Sequence, residues 1–154
     1  MTNSSDKEAS TPNAALAPLA RLVGTWTTLG SHALIPDTVL RGKTTFDWLE
    51  AGAFLRSRSE IDHPEIPTGV TIIGSDDALG TLSMLYFDER GVSRRYEVSM
   101  QGDVFRWWRD AAGFSQRYAC TLTDDDRTMI GKGELSKDGS SWERDLDLTY
   151  TRVR

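Results

Sequence analysis

The sequence predicts an all-β fold, an antiparallel up-and-down barrel of about ten strands behind a short N-terminal helix. Three observations point there. Short stretches rich in β-branched and aromatic residues recur every ten to twelve residues from Val23 onward, separated by Gly and Asp turn signals. No second helix of useful length interrupts them. The consecutive hairpins make a meander too long to lie flat, and closure removes the two exposed edges it would otherwise carry. A two-sheet sandwich is the alternative architecture.

The first thirteen residues are rich in Ser, Thr, Asn and Asp and are expected to be a disordered tail, leaving 14–154 as one domain. Ala14 to Leu22 is a helix candidate that Pro18 limits to about two turns, with Leu16, Leu19 and Leu22 on one face. Strands are expected at 23–32, 40–50, 53–62, 69–76, 81–88, 92–101, 103–110, 114–123, 127–136 and 141–152. The turns between them use Ala51-Gly52, Asp76-Asp77, Glu89-Arg90-Gly91, Gly102-Asp103, Asp124 to Asp126 and Lys137-Asp138-Gly139. Gly supplies positive φ and Asp caps its own backbone in such turns.

Composition bounds the function. The 154 residues suit one domain, large enough to fold without staples. A net charge of −5 argues against nonspecific nucleic-acid binding. The single cysteine, Cys120, and a polar start without an apolar signal suggest a cytoplasmic protein. No apolar run is long enough to span a membrane as a helix. Fourteen of the eighteen basic residues are arginine, several of them inside strand-like segments. Arginine favours planar, bidentate or stacked contacts.

Alternation assigns faces. In the last strand Trp142, Arg144, Leu146, Leu148 and Tyr150 are expected inside, with Glu143, Asp145, Asp147 and Thr149 in water. Arg94, Tyr96, Val98 and Met100 form a second inward set. Phe114, Gln116, Tyr118, Cys120 and Leu122 form a third. Polar groups among aromatics suit a pocket that orients a ligand. In a filled core the same groups would satisfy one another or bind ordered water.

Leu22-Val23-Gly24-Thr25-Trp26, placed after a short helix and before the meander, resembles the Gly-x-Trp signature of lipocalin-like (calycin) barrels, nitrobindin-like ones included. Thr45 to Glu50 with Gly52, Ile72 to Asp76, and Tyr86-Phe87-Asp88 with Gly91 extend the likeness to a group of bacterial lipocalin-like proteins over residues 16–152. Fatty-acid-binding-like barrels are more distant. The resemblance implies a barrel with a cavity and no particular activity. It implies that Trp26 closes the floor against a basic residue of the last strand, for which Arg152 is the candidate. A guanidinium stacked there contributes about 0.5–2 kcal/mol. Nitrobindin-like relatives hold haem through a histidine near the C-terminal end. The last strand here has none, so no cofactor is expected and haem is disfavoured.

Each of the two histidines has a functional role and a loop role open to it. His32 lies six residues after Trp26, on the same face, about 20 Å along a strand and near the open end. There it could exchange a proton or bind one metal ion, or it could bond to loop backbone. His63 sits between Pro64 and an acid in a stiff loop, and no spaced set of ligands supports a metal site. Arg56, Arg58 and Glu60 share a face with Phe54. Pointing inward they could hold a carboxylate, as fatty-acid-binding barrels do. Pointing outward, the favoured orientation, they pair with surface acids. One of Trp107 and Trp108 must face in, and the other, exposed beside arginines, suggests a homodimer contact. Cys120 is expected to be inert packing.

No nucleophile, phosphate-loop or dinucleotide motif is present, so no reaction is identified. The leading reading is a module that binds a small apolar or aromatic molecule, with or without an acidic group. Trp26, His32, Arg94, Tyr96, Gln116, Tyr118, Arg144 and Tyr150 are its site candidates. The alternatives are a cofactor-free enzyme on a small acid using Tyr96, Arg94 and Glu60, a haem-binding barrel with His32 or a tyrosine as axial ligand, and a filled barrel that binds partners.

Overall fold

The computed structural model describes residues 13–154. A nine-residue 3₁₀ helix, Ala14–Leu22, precedes ten strands: β1 Gly24–His32, β2 Ile35–Leu49, β3 Phe54–Ile61, β4 Gly69–Ser75, β5 Leu82–Asp88, β6 Ser93–Gln101, β7 Val104–Arg109, β8 Ser115–Thr123, β9 Thr128–Ser136 and β10 Glu143–Arg152. Each strand pairs antiparallel with its neighbour in sequence, and β1 pairs with β10 to close the barrel. Strand β2 starts earlier than expected because a tight turn follows His32 and returns the chain at Ile35. No helix of the described residues is long and apolar enough to cross a membrane.

The helix is a 3₁₀ helix for a reason visible in its spacing. Leu16, Leu19 and Leu22 are three residues apart, and three residues per turn stacks them on one side. All three are fully buried against the barrel end. Asn13, assigned to the polar tail by composition, instead caps this helix. Its carbonyl side-chain oxygen accepts from Ala15 N–H, and its amide donates to Ser75 Oγ at 2.9 Å. The rest of that tail lies outside the described residues.

The helix makes one end of the barrel closed. Trp26 is fully buried there and donates its indole N–H to Leu22 O at 2.9 Å. Arg152 lies opposite Trp26 in the β1–β10 pair, with its guanidinium 4.1 Å from the ring centroid. That guanidinium donates to the carbonyls of Arg21, Val23 and Asp126. Gly24 explains the glycine of Gly-x-Trp: its φ is +134°, and a Cβ would lie 2.8 Å from Arg152 Nη1. The acidic turn 124–126 also anchors the helix. Asp126 holds Arg21 through both carboxylate oxygens, tying the helix to the β8–β9 turn. Phe46, Leu55, Ile73, Met84, Phe105, Leu122 and Met129 fill the barrel above this floor.

Candidate functional site

The other end holds no helix. The hairpins that rim it leave Ser59, Thr71, Tyr86, Trp107 and Gln116 half-buried above the buried Ser57, Tyr96 and Tyr118, and these inward side chains build a candidate site. Two inner walls face each other and differ in size. Thr28, Thr44, Ser57, Ser59 and Thr71, with Gly69, give β1–β4 a wall of small groups. Thr44 and Ser59 pair their hydroxyls at 3.0 Å, and Ser57 and Thr71 at 2.5 Å. Thr28 Oγ1 is buried with no hydrogen-bond partner among the described residues.

The β5–β8 wall is aromatic. Trp107 stacks on Tyr118 with centroids 4.9 Å apart and planes 20° from parallel. Tyr96 meets Trp107 edge-on at 4.9 Å, and Tyr86 meets Tyr96 edge-on at 6.3 Å. This settles the tryptophan pair: Trp107 is inside and Trp108 outside. Gly131 makes room beside the shelf. A Cβ there would lie 2.1 Å from the Tyr118 hydroxyl, which instead pairs with the Tyr150 hydroxyl at 2.8 Å in full burial. Burial pushes both phenols well above their ordinary pKa, so both remain neutral donors and acceptors. Burial likewise pushes the Cys120 thiol up to about 12, which makes it a packing group.

At the rim a chain of hydrogen bonds crosses the mouth. The Tyr96 hydroxyl donates to Gln116 Oε1 at 2.5 Å, and Gln116 Nε2 donates to Asp145 at 2.9 Å. The other Asp145 oxygen is 2.8 Å from His32 Nε2. His32 Nδ1 accepts from Leu34 N–H at 3.0 Å, so Nε2 carries the proton and donates to Asp145. Both ring nitrogens are thereby committed. Burial raises the Tyr96 phenol pKa against the opposing pull of Arg94 and Arg109.

Asp145 was expected in water and Arg144 inside, and the structure reverses them. The β9–β10 register shifts between Arg144 and Asp147. This bulge re-aims the strand by one residue. Arg144 is left exposed, reaching Asp147 at 3.1 Å and Ser31, while Asp145 turns inward. Trp142 likewise lies on the outer wall, 3.8 Å from the Arg117 guanidinium. Trp26 belongs to the closed floor, far from the mouth. His32, Arg94, Tyr96, Gln116 and Tyr118 do gather at the open half, with Tyr150 behind Tyr118.

Two residues outside the expected site set complete the rim, Phe114, which alternation already turned inward, and Arg109, whose facing it left open. Arg109 follows Trp107 on the inward face of β7, and Phe114 precedes β8. The Arg94 guanidinium lies 4.7 Å from the Phe114 centroid, and that of Arg109 lies 6.0 Å from both Phe114 and Tyr96. Arg109 Nε is buried without a hydrogen-bond partner among the described residues. On the far side of the rim Asp88, sealed from solvent, accepts from Tyr86 Oη at 2.7 Å and from Arg90 at 2.7 Å. Those bonds hold its carboxyl well below the usual range.

Elsewhere the arginines face out. Arg56 pairs with Asp47 and Arg58 with Glu60 on the outer wall, so Glu60 is not placed to work with Tyr96. A depression of about 430 Å³ between Trp108 and Trp142 also lies on the outer wall, with Arg106, Arg117 and Lys132 beside it. His63 Nδ1 accepts from Glu65 N–H in its loop. Among the described residues no group of three or more His, Cys, Asp or Glu side chains is placed to hold a metal ion.

No protein-family model and no curated protein matches the chain. Solved structures do. Rv2717c from M. tuberculosis is similar over 94% of this chain and 100% of its own, with a TM-score of 0.66 at 13% identity. The S-type phycobiliprotein lyase CPES from Guillardia theta is similar over 99% of each chain, with a TM-score of 0.57 at 11% identity. At such identities the likeness is one of fold alone.

Proposed function

We propose that this protein binds a small apolar or aromatic molecule inside the barrel, entering through the open end. The observation that carries this reading is the pairing of unequal inner walls. The packed rings of Trp107, Tyr118 and Tyr96 face the small hydroxyls of β1–β4 across the lumen, and Trp107, Ser59 and Thr71 toward the mouth are half-buried rather than sealed. An aromatic shelf opposite small side chains leaves space that a planar molecule fills, with polar groups at the rim to orient it. The lyase neighbour, whose fold is put to work on phycobiliproteins, supports the view that such a barrel serves more than packing. The committed nitrogens of His32 favour a site without an axial metal ligand. They make His32 a positioning residue for Asp145, Gln116 and Tyr96.

Calorimetric titration with 2-naphthamide, a neutral planar probe, tests the reading. One molecule per chain binds in the native protein. Ser59→Phe, which fills the lumen from the small wall, abolishes binding, and Trp108→Ala on the outer wall leaves it unchanged. Binding that survives Ser59→Phe and vanishes in Trp108→Ala would move the site to the outer groove and refute the proposal.

A further inference from the structure

We propose that Arg94 and Arg109 form a receptor for one carboxylate group of the ligand, so that the barrel takes aromatic carboxylates in particular. This rests on the interior-binding reading above. Both guanidiniums face the lumen, Arg94 one step before Tyr96 on β6 and Arg109 one step after Trp107 on β7. Neither has a carboxylate within salt-bridge distance among the described residues. For an inward, partly desolvated cation that is a cost. In Arg109 it is sharpest, because its buried Nε–H has nothing to donate to.

The nearby acids are spoken for. Asp145 is saturated by His32 and Gln116, and Asp88 by Tyr86 and Arg90. The Tyr96 proton goes to Gln116, so the phenol offers no donor that would duplicate the arginines. What remains at the rim is two forks of N–H donors with no anion between them.

Phe114 restrains both forks. The two guanidiniums lie 4.7 and 6.0 Å from its ring, so less freedom is lost when an anion arrives. A planar guanidinium matches a carboxylate through two parallel hydrogen bonds. The Tyr96–Trp107–Tyr118 cluster begins two residues, one inward position, below each arginine on its strand. An anion held at the rim therefore directs its attached ring onto that cluster.

Calorimetry with 2-naphthoate, 2-naphthamide and 2-naphthyl phosphate tests this, since the three share a ring and differ in the head group. In the native protein naphthoate binds tighter than naphthamide by about tenfold or more, the scale of a charge-assisted hydrogen bond. Arg109→Gln and Arg94→Gln each remove most of that advantage, weakening naphthoate far more than naphthamide, and the naphthamide that still binds at one molecule per chain shows that the variants fold. Equal binding of naphthoate and naphthamide in the native protein overturns the carboxylate receptor and leaves the interior site standing. Tighter binding of the phosphate than of the carboxylate overturns the assignment to carboxylates. Failure of all three probes to bind overturns the interior reading, and the receptor with it.

Discussion

Arginines at the two ends of this barrel have opposite fates. At the closed end Arg152 lies on Trp26 and donates to three carbonyls, and Arg21 reaches Asp126, Asp103 and the Gly102 carbonyl. At the open end Arg94 and Arg109 have aromatic faces beside them and no anion. The residue type is the same, and the difference lies in what the surrounding backbone offers. The helix and the β8–β9 turn bring unused carbonyls and a carboxylate to the floor. The mouth has no such element, and its acids are paired elsewhere. A saturated guanidinium is part of the fold, whereas an unsaturated inward one is available to a ligand.

Substitutions sharpen this contrast, the largest at the floor. Trp26→Ala removes a fully buried ring and the surface under Arg152, and is expected to cost about 3–5 kcal/mol in denaturant unfolding. A loss under 1 kcal/mol would mean the floor is not what holds the barrel closed. In mid-barrel, Tyr118→Phe leaves the Tyr150 hydroxyl buried without its partner and is expected to cost about 1–2 kcal/mol.

A smaller effect is expected at the helix tie. Asp126→Asn keeps a residue that tolerates the positive φ of 64° but loses the charge facing Arg21. Because both side chains are about a third exposed, the cost at neutral pH is about 0.5 kcal/mol. Its pH dependence has a defined sign. Arg21 lowers the Asp126 pKa in the folded state, so the tie contributes stability above the ordinary carboxylate pKa and loses it as pH falls through the lowered value. The stability gap between native protein and variant therefore closes in acid. A gap that widened would contradict the pairing. The smallest effect belongs to the mouth. Arg109→Gln removes an unsatisfied group and is expected to change unfolding free energy by no more than about 0.5 kcal/mol. A large loss would show that Arg109 serves the fold after all.

Much of this architecture was legible in the residues. Alternating β-branched and aromatic positions, broken by Gly and Asp, mark the ten strands. The aspartates cap those turns as expected, Asp76 bonding Ala78 and Leu79 N–H, and Asp138 those of Ser140 and Ser141. Six-residue spacing put His32 on the face of Trp26, and β6 and β8 turned the expected faces inward.

What could not be read was phase. In β10 the run from Trp142 to Tyr150 alternates without interruption, and nothing in it marks the bulge. Extrapolation therefore pointed Arg144 inward and left Asp145 in water. In β7 Val104 and Phe105 are both apolar, and so are Trp107 and Trp108, so either face could have been the inner one. Cross-strand register decides, since Phe105 lies opposite Met100 and Cys120, which face the core. With that phase set, Arg109 falls inside.

The open half of the lumen is proposed to hold an aromatic ligand whose anionic end meets the unpaired arginines. A crystal structure of the protein with 2-naphthoate tests this most directly. The naphthalene ring is expected against Trp107 and Tyr118, inside the barrel, with the carboxylate within hydrogen-bond distance of Arg94 and Arg109. A ring lodged in the outer groove between Trp108 and Trp142, with the lumen closed by its own side chains, would contradict it.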